Sequence, residues 1–429
     1  MLMKKFVTLI QALIVSSLWV ASAYPAESYK VLPAELDGSM MPYDFADCEP
    51  TPSLPDSLTP VYVSYVARHG ARYLSSSKKL KPVMDALDEA EKNGTLSDTG
   101  QAFLSLMQQV ESANEGNWGD LSPIGISEER ELGRRMFSML PPLAKPNAGV
   151  NAISTFVPRA VMTMYQFTNQ LIRLNDGMTV ATDEGKKFSP LLYMFAFDPE
   201  YAQYRKDGAW KQVYKEYAKR TAPVGPARRL FTKTTMSDKQ LRDLTLDMYE
   251  VLKANRAASL PAPTTRWMSE AEYRACWKVS NLQHYLRNSA THLSDASSSA
   301  TVPLLGRIIA DADHALDDPR HTIALNGYFG HAETLMPFLS LIGLPECSKV
   351  RPDFSNLDKY WKIEDVTPLA ANILFLFAES PTGRVYVAAQ LNGRNVSLVP
   401  GQTDIVRWDI LKEHWGKIIT SLMLKTPAK

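Results

Sequence analysis

The sequence predicts an α/β protein with a mostly parallel central sheet, flanked by helices, and an inserted, mainly helical lid domain. Three segments combine a buried, β-favouring strand with a following helix, and they begin near residues 60, 150 and 322. Strand–helix units of this kind favour parallel pairing. Between the second and third units helical patterns dominate. We therefore expect a core formed by residues 24–180 and 300–429 and a helical insertion over 181–299.

The first residues have the pattern of a secretory signal peptide. Lys4-Lys5 precede the apolar run Phe6–Val20, and Ala21-Ser22-Ala23 is a small-residue cleavage site. An uncleaved membrane anchor is the alternative, but Thr8 and Gln11 make the run short and soft for a spanning helix. We therefore expect residues 1–23 to be removed and the chain to be exported, to the periplasm or the extracellular space, without a stable membrane span.

Composition argues against several classes of protein. Of the 429 residues, 45% are hydrophobic and 22% are charged, as in ordinary soluble domains. The formal net charge is only +1, so the whole chain gives no indication of a nucleic-acid partner. Cys48, Cys276 and Cys347 allow at most one disulfide within the chain, and their wide spacing argues against zinc binding and dithiol redox chemistry. The sequence leaves the oligomeric state open.

The first strand–helix unit ends in a cluster of charge. Valine and tyrosine dominate Val61–Val66, as in a strand buried on both faces, and Arg68-His69-Gly70-Ala71-Arg72 follows. Ligands of α/β proteins bind beyond the carboxyl ends of such strands. Two guanidiniums there need a planar anion, and phosphate suits their fixed fork of donors. His69 lies between them and is placed to attack that phosphate.

Helices and a turn-rich loop follow the first unit. Apolar spacing predicts helices around Val83–Leu87 and over Gln101–Val110, and Gly116–Gly125 is dense in turn residues. The next helix is expected to open at Glu128 and Glu129, because acidic side chains suit the positive end of a helix.

The second unit places another arginine at the end of a strand. Val150–Phe156 is predicted to be the strand, and Pro158 suits the first position of a helix. Apolar residues on one face of that helix run from Ala160 to Leu171. Arg159 then lies beside the helix amino end. A solvated arginine is the alternative interpretation of this stretch alone.

The predicted insertion is locally basic. Between Lys186 and Arg256 there are fifteen Lys or Arg residues against eight Asp or Glu residues. One interpretation is a basic lid that raises the local concentration of polyanionic substrates. The other is a solvated helical face, which is the usual meaning of a run of charge. Basic residues that could contact a substrate here are Lys186, Lys187, Arg228, Arg229 and Lys233.

The third unit contributes a histidine and a carboxylate. Thr322–Leu325 is predicted to be a strand and the apolar stretch from Leu335 a buried helix. Gly327 and Gly330 allow close backbone approach. His331-Ala332-Glu333-Thr334 then lies at a helix amino terminus, where backbone donors favour anions.

The carboxyl-terminal part is predicted to be scaffold. The expected elements are strands at Ile373–Phe377, Arg384–Leu391 and Val396–Val399, a hairpin turn at Asn392-Gly393, and a final amphipathic helix.

Together the three units supply candidates for each part of a phosphoryl-transfer site. Such a reaction needs an anion clamp, a nucleophile, a donor for the developing charge and an acid for the leaving oxygen. The candidates for the clamp are Arg68, Arg72 and Arg159. Neutral His69 would attack phosphorus and form a phosphohistidine. His331 would donate a hydrogen bond to the transferring group, and protonated Glu333 would give its proton to the departing alkoxide.

This chemistry needs no cofactor and no metal ion. The other histidines lack metal-ligand spacing such as H-E-x-x-H, which argues against a metallohydrolase. The sequence contains neither a G-x-S-x-G elbow nor a G-x-x-x-x-G-K-[ST] loop. Serine hydrolases and P-loop nucleotidases are therefore poor alternatives.

The paired motifs resemble a known family. Arg68-His69-Gly70-Ala71-Arg72 together with His331-Ala332-Glu333-Thr334 resembles the histidine acid phosphatase branch, clade 2, of the histidine phosphatase superfamily. The His-Ala-Glu form, with Phe156-Val157-Pro158-Arg159, is most similar to multiple inositol polyphosphate phosphatases, a group of phytases. The resemblance extends from about Tyr62 to Gly401. Leu74 stands where the family pattern has proline, a change that removes no catalytic group.

The resemblance implies roles for the site residues and a substrate class. It implies a phosphohistidine at His69, proton donation from Glu333, and an inserted helical domain. The phosphate contacts that it implies come from Arg68, Arg72, Arg159 and His331. We therefore expect a secreted phosphomonoesterase acting on phytate and lower inositol polyphosphates, which are small polyanionic esters. The alternatives are a broad-specificity acid phosphatase acting on sugar phosphates and a non-enzymatic phosphate-binding protein.

Overall fold

The computed structural model of the protein describes residues 29–46, 48–344, 347, 353–401 and 404–423. The predicted signal peptide, residues 1–23, lies outside the described residues and stays a prediction. In the described part of the chain no helix is long and apolar enough to cross a membrane.

The described residues form one mixed sheet of eight strands. In chain order the strands are β1 (Thr59–Arg68), β2 (Gly149–Ser154), β3 (Thr179–Glu184), β4 (Ile323–Gly330), β5 (Asn372–Glu379), β6 (Val385–Leu391), β7 (Arg394–Val396) and β8 (Ile405–Arg407). Their spatial order is β3-β2-β4-β1-β5-β6-β7, with β8 paired to β6. The first four strands of that order are mutually parallel, and the others join antiparallel. The predicted α/β class is confirmed.

Helices cover both faces of this sheet. In chain order they are α1 (Lys81–Lys92), α2 (Asp98–Asn114), α3 (Pro123–Met139), α4 (Pro158–Leu174), α5 (Ser189–Leu192), α6 (Met194–Phe197), α7 (Pro199–Asp207), α8 (Trp210–Thr221), α9 (Gly225–Arg228), α10 (Asp238–Leu252), α11 (Glu270–Asn288), α12 (Ala296–Ser299), α13 (Val302–Asp317), α14 (Ala332–Leu341), α15 (Ile363–Val366) and α16 (Trp408–Met423). Short 3₁₀ turns lie at Ala34–Met40, Ser77–Lys79, Pro141–Ala144, Lys186–Phe188 and Leu357–Lys359.

Three apolar cores hold the elements together. One packs α13, α14 and α16 on one face of the sheet, and another packs α3 and α4 on the opposite face. A third core joins α1 and α2 to α10 and α11. The helical layer is therefore built from two separate stretches of chain. Because β3 pairs with β2 through Glu184, the chain is still in the sheet at residue 184; the insertion boundaries stay a prediction.

The second unit has the predicted form. Pro158 is the first residue of α4, and the buried face of this helix includes Ala160, Met164, Phe167 and Leu171. Proline suits this position because its missing N–H would have no helical partner there. The strand ends and the helix begins within four residues of each other, which fixes Arg159 at the carboxyl edge of β2.

The helix predicted to open at Glu128 and Glu129 begins earlier. It starts at Pro123, and the Ser122 hydroxyl caps it by accepting a hydrogen bond from the Gly125 N–H. Both glutamates therefore lie inside α3, where they are buried. The prediction was wrong because the Ser-Pro start signal, a capping side chain before a first-turn proline, was counted as part of a loop.

The third unit also differs in its boundaries. The strand predicted at Thr322–Leu325 runs on to Gly330, and α14 begins at Ala332. Glycine lowered the strand signal, but pairing with β1 and β2 on both sides satisfies the backbone of this segment. At the other end of the sheet, Asn392 and Gly393 form the predicted hairpin turn, and both have the positive φ angles of a type I′ turn.

Candidate active site

The three strand–helix units meet at one edge of the sheet. Arg68 at the end of β1 pairs in register with Gly330 at the end of β4, so the residues that follow, His69 and His331, are neighbours. Their imidazole rings lie edge to face with 5.6 Å between centroids. A cleft of about 290 Å³ opens beside them. The predicted site residues that line it are Arg68, His69, Arg72, Arg159 and Glu333.

The loop after β1 is fixed by the start of α3. Ala71 donates its N–H to Glu128 Oε2 at 2.7 Å, and its carbonyl accepts from the Ser122 N–H at 2.9 Å. Gly125 makes this approach possible, since a Cβ at that position would lie 2.1 Å from the Ala71 oxygen. The buried Glu128 also accepts from the Tyr43 N–H at 2.8 Å and so ties the loop to the lead-in segment.

Arg68 is held by carbonyl groups. Its Nη1 donates to the main-chain oxygens of Ser39, Thr367 and Pro368 at 2.7, 2.6 and 3.0 Å. The Nε atoms of all three clamp arginines are buried and have no hydrogen-bond partner among the described residues. Buried polar groups are normally paired, so unpaired donors in a cleft indicate a site for an anion.

The clamp carries excess positive charge. Burial, together with the charge of Arg159, lowers the pKa of Arg68 to about 10 and that of Arg72 to about 9. Burial also lowers the pKa of Arg159. These shifts have the direction expected of cations crowded together without enough counter-charge. A bound phosphate would relieve this repulsion.

His69 is neutral and has one free nitrogen. Burial and the charges of Arg159 and Arg68 lower its pKa well below the usual value for histidine. Its Nδ1 lies 3.0 Å from the carbonyl oxygen of Gly70. Since a carbonyl can only accept, Nδ1 carries the proton, and the lone pair is on Nε2. This is the protonation state that a nucleophilic imidazole needs.

His331 is also neutral and is fixed by its surroundings. Burial and the charge of Arg159 lower its pKa to about 3. Its Nε2 lies 3.1 Å from Thr155 Oγ1, and its ring packs edge-on against Tyr193 and Phe195, with centroid distances of 5.5 and 5.6 Å. The ring is thus held in one orientation beside His69, where its N–H can serve as a donor.

Glu333 is paired with an arginine that sequence reasoning missed. Arg205 Nη2, on α7, lies 3.4 Å from Glu333 Oε1. Burial acts to raise the pKa of Glu333, but the charge of Arg205 outweighs it and leaves the pKa below the usual range. Glu333 is therefore a carboxylate in the unliganded protein, whereas the predicted role needs it protonated.

The cleft has a second wall, built from the 3₁₀ turn Ser77–Lys79 and from α10 and α11. The side chains that line it and that the sequence did not single out are Lys79, Glu250, Lys253, His284 and Arg287. The excess of basic residues indicated a cationic wall. It could not identify the side chains that point into the cleft, because their direction depends on how α10 and α11 pack. The residues proposed from sequence lie elsewhere. Arg228 pairs with Asp238, Arg229 pairs with Glu272, and Lys233 lines a separate cavity.

Two further candidates lie near Glu184. Lys187 forms an ion pair with Asp183 at 2.5 Å, and Lys186 lies over the ring of Phe156 at 5.9 Å. Neither lines the cleft. For metal binding, the described residues contain no group of three or more His, Cys, Asp or Glu side chains that could hold an ion. The metal-independent reaction stays a prediction.

An arginine-lined cleft with a neutral, oriented histidine at the carboxyl edge of an α/β sheet defines a phosphatase. The family is shown by a match over residues 61–392 to the model of the histidine phosphatase superfamily, branch 2. The chain belongs to that family, and the enzyme class predicted from the paired motifs is confirmed.

Individual relatives are distant in sequence and close in fold. Multiple inositol polyphosphate phosphatase 1 of Homo sapiens is 22% identical over 401 residues, which cover 86% of this chain and 81% of the human protein. A Bifidobacterium longum multiple inositol polyphosphate phosphatase, in complex with inositol hexasulfate, superposes with a TM-score of 0.75 at 17% identity, covering 88% of this chain and 97% of that one. The D. castellii phytase has a TM-score of 0.68 at 16% identity, covering 92% and 88%. These structures share the fold of the chain.

Proposed function

We propose that the protein is an exported phosphomonoesterase that hydrolyses phytate and lower inositol polyphosphates through a phosphohistidine at His69. The observation that carries the proposal is the charge of the cleft around neutral His69. Its lining includes six cationic side chains, Arg68, Arg72, Lys79, Arg159, Lys253 and Arg287, against two carboxylates, Glu250 and Glu333. This excess of positive charge suits a substrate with several phosphates. The names of the human and Bifidobacterium relatives point to the same substrate class.

In the first step, His69 Nε2 attacks the phosphorus atom of one ester. An N–P bond forms as the P–O bond to the inositol oxygen breaks, and Glu333 gives a proton to that oxygen. The clamp arginines bind the non-bridging oxygens, and the His331 N–H donates to the transferring group. Removing one such contact to developing charge typically costs about 2.7–4 kcal/mol of transition-state stabilisation.

In the second step, water attacks the phosphohistidine. The Glu333 carboxylate left by the first step takes a proton from the water, an O–P bond forms, and the N–P bond to His69 breaks. Inorganic phosphate is released, and His69 returns to its neutral form. Each step leaves the protonation state that the other one needs.

The ionised Glu333 of the unliganded site acquires its proton on binding. A phosphate in the clamp adds negative charge beside the carboxylate and offsets the positive charges that keep its pKa low. The pKa of Glu333 therefore rises in the enzyme–substrate complex. A monoanionic phosphate ester can itself bring the proton, which would favour turnover in acid.

The nearest alternative is a broad-specificity acid phosphatase with the same catalytic core. The phytase and the broad-specificity phosphatase differ in the role of the second wall of the cleft. A substrate with a single phosphate leaves the cations of that wall without a phosphate to bind. Comparing kcat/KM for phytate, glucose 6-phosphate and p-nitrophenyl phosphate separates them. A much higher value for phytate is expected, and similar values for all three would favour the alternative.

The proposed intermediate is tested with His69→Ala. Quenching of the wild type with alkaline detergent during turnover of radiolabelled substrate should trap an acid-labile phosphoryl group on the protein, and the variant should trap none. Loss of the nucleophile should lower kcat by about 10³-fold or more, while binding of inositol hexasulfate, a non-hydrolysable polyanion, survives. A variant that still turns over at the wild-type rate would overturn the assignment. Separately, chromatography of the inositol phosphates released by the wild type from phytate would identify the ring position attacked first.

A further inference from the structure

One wall of the cleft carries a carboxylate where a polyanion site would be expected to carry cations alone. We call this surface the distal wall; its residues are Lys79, Glu250, Lys253 and Arg287. Glu250 and Lys253 lie at the end of α10, Lys79 ends the 3₁₀ turn Ser77–Lys79, and Arg287 lies on α11. The inference below concerns Glu250 and rests on the proposed function.

Glu250 is ionised and reaches the cleft. Its side chain is 31% exposed, with Oε1 2.5 Å from Lys253 Nζ and Oε2 3.8 Å from Lys79 Nζ. Burial acts to raise the pKa of Glu250, but the charges of Lys253 and Lys79 outweigh it and lower the pKa to about 2. Its carboxylate can therefore only accept hydrogen bonds at any pH at which a phosphatase works.

The lysine beside Glu250 has little left to offer a substrate. The Lys253 side chain is only 4% exposed, its Nζ donates to Ser280 Oγ at 3.1 Å, and it lies over the ring of Tyr249 at 5.1 Å. Its charge is also offset by the ion pair with Glu250. Lys79, by contrast, is 53% exposed and lies at a looser distance from Glu250. The distal wall thus presents one strong acceptor, Glu250, beside the exposed Lys79 and the half-buried Arg287.

We propose that Glu250 selects substrates that place a free hydroxyl group, in preference to a phosphate, against this part of the cleft. A phosphate dianion has no proton to donate and is repelled by the carboxylate, whereas a ring hydroxyl donates a charge-assisted hydrogen bond. Within the proposed substrate class, the lower inositol polyphosphates are therefore favoured, because in them a hydroxyl lies near the phosphate that is cleaved. Inositol hexakisphosphate, which has no free hydroxyl, is the less well matched substrate.

The test is the ratio of kcat/KM for inositol hexakisphosphate to that for an inositol trisphosphate with three free hydroxyls. Glu250→Gln removes the negative charge and weakens the acceptor, so this ratio is expected to rise about tenfold, the equivalent of about 1.4 kcal/mol. Asp243→Asn is the matched control. It changes net charge equally on the same helix, but Asp243 is 56% exposed and pairs with Lys239 outside the cleft, so its ratio should equal that of the wild type.

Lys79→Gln provides a second variant that does not depend on how Glu250→Gln folds. Removing the accessible cation should lower the same ratio, because the hexakisphosphate loses a favourable contact. If Glu250 only supports Lys253, Glu250→Gln should change kcat/KM equally for both substrates. That result would overturn the inference. So would an Asp243→Asn ratio that rises as much as that of Glu250→Gln. Absence of phosphate release by the wild type from either inositol phosphate would overturn the proposed function itself.

Discussion

Arg205 and Glu333 form an ion pair, with 3.4 Å between Nη2 and Oε1, at the position where the proposed reaction needs an acid. Arg205 is itself well held. Its Nη1 donates to Asn288 Oδ1 at 2.7 Å, and its guanidinium lies over the ring of Phe195 at 5.2 Å. Glu333 is thus oriented by a rigid partner whose charge favours the ionised carboxylate. The protonation of Glu333, and with it the pH range of activity, depends on this pair.

Replacing Arg205 should move the pH dependence of the enzyme towards the alkaline side. In the proposed mechanism the protonated form of Glu333 is the active one, so activity is expected to fall as pH rises through its pKa, which Arg205 keeps low. Arg205→Gln removes the cation, raises that pKa and shifts the falling limb of the pH profile of kcat to higher pH. Arg205→Lys keeps the charge and should keep the wild-type limb. A limb that stays in place in Arg205→Gln would mean that Glu333 does not set it.

Glu333→Gln should impair substrates according to their leaving groups. An inositol alkoxide needs a proton to depart, and loss of a general acid typically costs about 10²- to 10⁴-fold. The nitrophenolate of p-nitrophenyl phosphate departs without one, so its rate should fall far less during phosphorylation of His69. The measurement is kcat/KM for both substrates. Equal losses would contradict proton donation and would point to a role in binding.

Those parts of the site that depend on local sequence could be predicted, whereas the distal wall could not. His69, Arg159 and His331 lie after the ends of β1, β2 and β4, and parallel strands bring their carboxyl ends to one edge. Their convergence could therefore be predicted from three separate motifs. Arg205 and Glu250 lie on α7 and α10, in the predicted insertion. Whether such a residue faces the cleft depends on how those helices pack against distant segments, which no local pattern encodes.

The helix predicted to begin at Glu128 shows a different limit. Charge at a helix end is worth only about 0.3–1 kcal/mol, so it is a weak signal beside a serine cap and a first-turn proline. Ser122 and Pro123 start the helix one and a half turns earlier and move both glutamates into the interior. Of these two buried carboxyls, Glu128 supports the loop after β1 by accepting a hydrogen bond from the Ala71 N–H.

Glu128→Ala should weaken both the fold and the reaction. The substitution leaves the N–H groups of Ala71 and Tyr43 buried without an acceptor, which typically costs about 1–3 kcal/mol for each group. Because Ala71 lies in the loop that carries His69 and Arg72, kcat should fall along with the melting temperature. The amide oxygen of Glu128→Gln can keep one of the two bonds. Its kcat and melting temperature should therefore lie between those of Glu128→Ala and the wild type. Unchanged kcat in a destabilised Glu128→Ala would show that the loop holds its shape without this acceptor.

Glu129→Gln should stabilise the protein increasingly as pH rises. Both oxygens of Glu129 are buried without a partner among the described residues, and burial, followed by the charge of Glu128, raises its pKa well above the usual value. In the unfolded chain the carboxyl ionises above about pH 4.3, so the unfolded state then binds fewer protons and wild-type stability falls with rising pH. Glu129→Gln has no ionisable group at this position and does not lose stability in this way. Its melting temperature should match the wild type near pH 4 and exceed it near pH 7, a range set by the unfolded pKa of about 4.3. Glu131→Gln is the control with the opposite sign, because hydrogen bonds from Arg134 lower the pKa of Glu131 to about 2 and its carboxylate stabilises the fold at neutral pH. A pH-independent difference for Glu129→Gln would show that the pKa of this carboxyl is the same in the folded protein as in the unfolded chain.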